Sequence, residues 1–285
     1  MEQTQDIITE KRGLEISRYF TKEGTNPFDL CIYEERSSVI KNPDGSIIFQ
    51  MDNVEVPRTW SQVATDILAQ KYFRKTGVPL KNRSGEPLLD ENGKIILGSE
   101  TSIKQVAHRI AGCWRYWGEK HNYFASKRDA DIFYDEMVFM IINQYAAPNS
   151  PQWFTTGLNW AYGHTGLAQG HSYINPVTKQ LEYSQDAYTR SQPHACFIQH
   201  IDDDLVKEGG IFSLLVREAR VFKYGGGTGS NFSQLRGKGE NLSGGGASSG
   251  LMSFLKIFDA AAGSVKSGGT TRRAAKMVCL DLDHP

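Results

Sequence analysis

Three glycine-rich stretches lie close together in the second half of this 285-residue chain: Gly225-Gly226-Gly227-Thr228-Gly229, the run Gly244–Gly250, and Gly268-Gly269. Glycine lets backbone amides approach an anion closely, and a neighbouring Lys or Arg adds charge. Lys223, Arg236, Lys238, Lys266, Arg272 and Arg273 flank the stretches. Any one stretch also reads as a helix cap or a turn. Three of them with basic flanks point together to the phosphate of a nucleotide. None fits GxxxxGK[ST], and the first does not give GxGxxG directly after a strand, which speaks against a kinase, a P-loop ATPase or a dinucleotide fold.

A second kind of chemistry is open to Cys196, in the short apolar strand expected over Ala195–Ile201. A lone cysteine is usually a small inert hydrophobe, whereas beside a nucleotide site it could act as a redox thiol. His194 reads as structural or solvated. The triplet Asp202-Asp203-Asp204 is either a solvated turn or, just after a strand end, a carboxylate suited to a ribose hydroxyl.

The composition narrows the class. The chain has 32 basic and 32 acidic side chains, so bulk charge offers no footprint for nucleic acid or an anionic membrane. With 39% hydrophobic residues it is long enough for one large domain or two smaller ones, each with a real core. The first twenty residues are polar and mixed in charge, giving neither a signal peptide nor a spanning segment. Cys31, Cys113, Cys196 and Cys279 are far apart and form no CxxC pair, so neither a zinc site nor a disulfide framework is expected, and the compartment reads as the reducing cytoplasm. The chain stops straight after an apolar run, at Asp281-Leu282-Asp283-His284-Pro285, which reads as a truncated or split chain.

The elements that must position these residues are legible in part. Hairpins are expected over Ser38–Phe49, around Asn42-Pro43-Asp44-Gly45, and over Pro87–Leu97, around Asn92-Gly93. Capping boxes at Thr59/Gln62, Ser102/Gln105 and Ser126/Asp129 announce three helices. Behind the caps, Ile103, Val106, Ile110, Trp114 and Trp117 recur at helical spacing, as do Ile132, Phe133, Met137, Met140 and Ile141. Residues 1–145 read as a mostly helical unit with hairpins. From 146 the texture changes to a strand, a helix over Ile211–Phe222, a Gly/Ser loop over Arg236–Gly250, a helix over Leu251–Val265 closed by Ser267-Gly268-Gly269, a basic loop over Thr270–Lys276, and a strand over Met277–Leu282. That order is α/β with some parallel pairing.

Taken in sequence, these segments resemble the adenosylcobalamin-dependent, class II ribonucleotide reductases. The resemblance is carried by Asn149-Ser150-Pro151-Gln152-Trp153-Phe154, by Gln192-Pro193-His194-Ala195-Cys196-Phe197-Ile198, and by Phe222-Lys223-Tyr224-Gly225-Gly226-Gly227-Thr228-Gly229-Ser230-Asn231-Phe232. It continues through Leu235-Arg236-Gly237, Ser243-Gly244-Gly245-Gly246, Ser249-Gly250-Leu251-Met252-Ser253-Phe254 and the run Lys266–Lys276. It is dense over 147–285 and looser before, at Asn26-Pro27-Phe28 and Val56-Pro57-Arg58-Thr59-Trp60.

The resemblance implies a helical N-terminal domain (1–145) followed, over 146–285, by roughly the first half of a ten-stranded α/β barrel. It implies that Ser150, Ala195, Cys196 and Gly227 line the ribonucleotide site, and that Cys196 is one of two cysteines that reduce the substrate and become a disulfide. It further implies that Asp203 and Arg236, with Lys223, Arg272 and Arg273, hold an allosteric deoxynucleotide or ATP, and that 236–250 and 266–276 relay effector identity to substrate choice. Adenosylcobalamin, bound mostly by segments beyond this sequence, supplies the radical chemistry. A thioredoxin-like protein reopens the disulfide, and the effector site often lies at a homodimer interface. The thiyl cysteine, its flanking Asn and Glu, the second reducing cysteine and the shuttle cysteines belong to later segments of the family. None of Cys31, Cys113 or Cys279 stands in a matching context, and no ATP-binding cone is evident. The implied enzyme is therefore a thioredoxin-linked ribonucleoside-diphosphate reductase that needs the remaining C-terminal part for turnover, although the residues themselves leave diphosphate against triphosphate open. Two other readings stand beside it: a non-catalytic nucleotide-binding regulatory module that kept the effector site, and a phosphate-binding α/β protein of unrelated function. An unfinished barrel would also expose two open sheet edges.

Overall fold

The computed structural model describes residues 13–82, 84–168, 170–223, 225–265 and 274–285. The chain divides into two compact units, one made of Met1–Ala147, Thr156–Gln169 and Ser184–Thr189, the other of Pro148–Thr155, Gly170–Tyr183 and Arg190–Pro285. Among the described residues no helix is long and apolar enough to cross a membrane.

The first unit begins with an antiparallel hairpin, β1 (Tyr33–Lys41) and β2 (Ile47–Pro57), longer than the Ser38–Phe49 segment that the turn signal suggested. Its turn works as expected: Gly45 takes φ +85°, and the Asp44 carboxylate accepts the Ser46 N–H at 2.9 Å. Next comes α1 (Gln62–Ile67). Its cap is Ser61, whose hydroxyl accepts the Ala64 N–H at 3.1 Å, and not Thr59. Thr59 lies inside a tight turn closed by the Trp60 N–H on the Pro57 carbonyl, so it cannot stand at the helix mouth. The second expected hairpin is reduced to β3 (Val78–Pro79) paired with β4 (Leu97–Gly98), with single bridges at Lys81–Pro87 and Leu89–Ile95. Its tip is organised by Asp90, which accepts the N–H groups of Asn92 and Lys94 at 2.8 and 2.9 Å.

The two long helices follow the sequence closely. Ser102 and Gln105 form a reciprocal capping box at the start of α2 (Ile103–Lys120). The Ser126 hydroxyl caps α3 (Lys127–Ile142) through the Asp129 N–H, while the Asp129 carboxylate turns outward to take the Ile16 N–H at 2.8 Å. Ile103, Val106 and Ile110 are fully buried, α2 packs against α3, and Ile132, Val138 and Ile141 of α3 are buried as well.

At the centre of this unit Arg109 and Glu100, both with fully buried side chains, form an ion pair at 2.7 Å. The guanidinium also donates to the Thr156 carbonyl at 2.8 Å, and the carboxylate accepts the Tyr162 hydroxyl at 2.8 Å and the Arg74 N–H at 2.7 Å. Gly157, at φ +81°, starts the short helix Leu158–Tyr162 and lies so close to Arg109 that a Cβ would sit 2.0 Å from the Arg109 carbonyl oxygen. Only glycine tolerates both constraints.

The second unit opens with a short helix, Ser150–Thr155, and a small hairpin of β5 (Ser172–Ile174) and β6 (Leu181–Tyr183). Its main layer is a three-stranded parallel sheet: β7 (Cys196–Gln199), β8 (Gly227–Asn231) and β9 (Lys276–Cys279), in the order β7-β8-β9. The strands are shorter than the sequence suggested, and β7 and β9 are both edges. Between them run α4 (Ile211–Lys223) and α5 (Leu251–Ser264). Ile211, Leu214, Leu251 and Phe258 of these helices make a core with Ile201, Phe232 and Leu235. The helix stop expected at Ser267-Gly268-Gly269 lies outside the described residues. The architecture is therefore mixed α/β, with parallel pairing in the second unit.

Two measurements test this packing. Arg109→Met leaves Glu100 charged in a dry interior, so it should cost about 3–5 kcal/mol in denaturant unfolding; a loss under 1 kcal/mol contradicts the buried pair. Burial also pushes the Cys113 thiol from its ordinary 9.0 up to about 12. A raised folded-state pKa means stability that is intact below 9.0 and lost as pH rises toward 12, because the unfolded thiol ionises and the folded one does not. Unfolding free energy should fall across that window, less steeply in Cys113→Ala, and at pH 8 an alkylating reagent should label exposed Cys196 well before Cys113. Equal labelling of the two thiols would contradict the burial.

Candidate functional site

The parallel register of β7 on β8 brings two of the expected site residues face to face. Cys196 pairs with Gly227, and the Gly227 N–H donates to the Ala195 carbonyl at 2.5 Å. One residue on, the Thr228 N–H donates to the Ala275 carbonyl at 2.9 Å, bringing in the approach to β9. Side chains alternate along β7, so exposed Cys196 and Ile198 share one face while Phe197 and Gln199 turn to the other. At Gly227 a Cβ would come 3.3 Å from the Ala275 oxygen, tight enough to push the strands apart. Ala195, Cys196 and Gly227 thus form one backbone cluster.

Ser150, partly buried, is the first residue of its short helix. That helix is steadied by the Trp153 indole N–H on the Pro148 carbonyl at 2.8 Å. Its Phe154 ring reaches the turn at Gly225, 3.6 Å from where a Cβ would stand. Gly225, at φ +78°, ends α4, and its N–H donates to the Phe222 carbonyl at 3.0 Å. The amides of Gly225, Gly226, Gly227 and Thr228 are all engaged by backbone carbonyls. This glycine run is therefore a helix stop and a closely packed strand, not an open amide cradle.

The acidic triplet divides its work. Asp202 accepts from His200 Nε2 at 2.7 Å, and Asp204 accepts the N–H groups of Val206 and Lys207 at 2.9 and 2.8 Å. Asp203 alone reaches across the fold, holding Arg236 Nε at 2.6 Å, with the two side chains 30% and 32% exposed. Arg236 Nη1 also donates to the Asn241 carbonyl at 3.0 Å. The second Gly/Ser segment is a tight hairpin, closed by Ser248 N–H on the Glu240 carbonyl at 2.8 Å and by Leu242 N–H on the Gly246 carbonyl at 3.0 Å. Lys223 is exposed at the end of α4 and bonds to neither member of the Asp203–Arg236 pair. Arg272 and Arg273 lie outside the described residues.

One arrangement went unforeseen. Glu218, on the buried stripe of α4, bonds both Thr228 of β8 and Lys276 of β9. The signal was present, since Glu218 recurs at helical spacing with Ile211, Leu214 and Phe222. Its partner, 58 residues away, could not be read from spacing.

Comparison with known proteins follows the same division. Residues 34–144 match the family described as class II vitamin B12-dependent ribonucleotide reductase, and residues 194–285 match the family described as ribonucleotide reductase, barrel domain. A vitamin B12-dependent ribonucleotide reductase of Bradyrhizobium diazoefficiens is 56% identical over 95% of this chain, and one of Agrobacterium fabrum is likewise 56% identical over 95%. A vitamin B12-dependent ribonucleoside-diphosphate reductase of Mycobacterium tuberculosis is 46% identical over 32% of the chain and 13% of its own length. The chain spans about a quarter of the length of the first two relatives, 23% in each case. With one family matched before residue 145, the other matched from β7 onward, and that identity running through both, the chain belongs to the class II, vitamin B12-dependent ribonucleotide reductases.

Proposed function

We propose that this chain contributes part of the substrate and effector sites of a reductase that converts ribonucleotides to deoxyribonucleotides by thiyl-radical chemistry. In this reading 1–145 is the helical N-terminal domain and 146–285 the first part of a ten-stranded barrel, with β7, β8 and β9 its first three parallel strands. The observation that carries it is the register of Cys196 on Gly227, with the Ala195 carbonyl bonded to the Gly227 N–H. A thiol at the exposed end of a parallel strand, beside closely packed backbone, suits a redox cysteine that must meet a bound sugar.

Each residue has a task in this reading. Ser150 holds the ribonucleotide and the backbone of Ala195 and Gly227 lines its site, the substrate being a diphosphate as in the name of the mycobacterial relatives. Cys196 supplies one sulfur of a pair. Two thiols give two electrons and two protons to the ribonucleotide, whose 2′-hydroxyl leaves as water, and form one disulfide that a thioredoxin-like dithiol in the cytoplasm reopens. Asp203 and Arg236 take the ribose and phosphates of a deoxynucleotide effector, with Lys223, Arg272 and Arg273 as further cations, and a second copy of the protein completes that region. The rest of the reductase chain supplies the second cysteine.

Adenosylcobalamin, the cofactor of the relatives' class, supplies the radical when bound. The face of the sheet that carries Cys196 does not fit it. The open side of the sheet beside Cys196 carries Ile198 and Met277, 82% and 53% exposed, which offer no hydrogen-bond donors to the corrin's polar rim and no ligand to its metal. Most of its contacts belong, in this reading, to the remainder of the reductase.

Binding of a deoxynucleoside triphosphate, followed by calorimetry on the purified chain, tests the reading. Asp203→Ala and Arg236→Ala should each abolish detectable binding. Affinity should also fall with added salt, because Arg236 must exchange its Asp203 partner for phosphate. Binding that survives both substitutions would move the effector site elsewhere. Failure of every form to bind, repeated with the missing part of the reductase added, would remove the effector assignment.

A further inference from the structure

A charged pair that the chemistry above does not use lies directly beneath the Cys196–Gly227 layer. Glu218 of α4 is 1% exposed. Its Oε1 accepts the Thr228 hydroxyl at 3.0 Å and the Lys276 ammonium. Its Oε2 is buried with no partner among the described residues. The ammonium also lies over the rings of Phe258 and Phe232, 4.2 and 4.8 Å from their centres, and those rings meet edge to face. Lys276 is thus boxed between one carboxylate and two aromatic faces.

Stability does not explain this arrangement. Desolvating two charges consumes most of their attraction, and an oxygen left without a donor is a further loss. An apolar filling of the same space would hold the layers together at least as well. What the pair provides is direction. Thr228 directly follows Gly227, and Lys276 directly follows Ala275, whose carbonyl receives the Thr228 N–H. One carboxylate oxygen therefore fixes the two strands at the level where Cys196 pairs with Gly227. Lys276 is also the last residue of the basic loop.

We propose that Glu218 and Lys276 are positioning residues, which set where Gly227 and the Ala195–Cys196 segment stand relative to a bound ribonucleotide. The proposal rests on the substrate reading above. Its test uses the complete reductase in three forms: wild type, Glu218→Gln, and the double variant E218L/K276M. Melting temperature, deoxynucleotide affinity, and KM and kcat for ribonucleotide are measured on each, together with amide exchange at Gly227 and Thr228.

The apolar double variant should melt at or above the wild-type temperature and bind deoxynucleotide within about twofold of wild type. Its kcat/KM should nevertheless fall on the order of tenfold, mostly through KM, with faster exchange at Gly227 and Thr228. Unchanged KM, kcat and exchange in a folded double variant would overturn the proposal, because packing alone would then suffice. Should that variant not fold, Glu218→Gln decides: it keeps the volume and loses the charge, so a raised KM supports the proposal and wild-type kinetics with wild-type exchange overturn it. Absence of turnover by wild type sinks the functional reading instead, and the exchange measurements still decide the positioning.

Discussion

The hydrogen bond from the Gly227 N–H to the Ala195 carbonyl is the constraint on which the second unit's site depends. It fixes the parallel register of β7 on β8 and so decides which residue stands opposite Cys196. The next bond, Thr228 N–H to the Ala275 carbonyl, extends the same level to β9. A slip of one residue would turn Cys196 toward the helices and bring Phe197 to the exposed face, since successive side chains point to opposite sides. Glycine in the middle strand matters because the strand it occupies has no side chain there to hold its neighbours away.

Three carboxylate–cation pairs in this protein illustrate how surroundings decide what a charge does. Glu100 and Arg109 are fully buried, and the carboxylate accepts from Tyr162, Arg74 and Arg109 on its two oxygens, so the pair is a finished internal network. Glu218 and Lys276 are nearly as buried, yet one oxygen of Glu218 has no donor among the described residues. Asp203 and Arg236 are each about a third exposed, where water screens the attraction and a competing anion can take the guanidinium at modest cost. The first arrangement suits holding a fold, the second holding a geometry, and the third exchanging partners.

Local signals carried much of the fold. Ser102/Gln105 and Ser126/Asp129 announced α2 and α3 because a cap is written within four residues. The α4 and α5 starts were equally plain from their apolar stripes. Thr59 misled because two hydroxyl residues, Thr59 and Ser61, compete for one helix mouth, and the turn closed on Pro57 settled the choice. The glycine run 225–229 suggested an anion cradle, since composition says nothing about which carbonyls its amides will meet. Residues of the candidate site were legible as motifs, and the resemblance placed Asp203 and Arg236 at one site, but the direct ion pairs were not: Asp203 bonds Arg236 across 33 residues and Glu218 bonds Lys276 across 58, separations that only the folded chain closes.

The three-stranded parallel layer also has a kinetic consequence. Parallel neighbours cannot be joined by a tight hairpin, so β7, β8 and β9 meet only after the helix between each pair has formed and folded back. The chain must close two long loops before the sheet yields any ladder bonds, which makes this unit one of high contact order. The hairpin and helix pair of the first unit rely on nearer neighbours. As the polypeptide leaves the ribosome, the earlier unit has its partners at hand, while β7 stays unpaired until β8 emerges and β8 keeps an open edge until β9 follows.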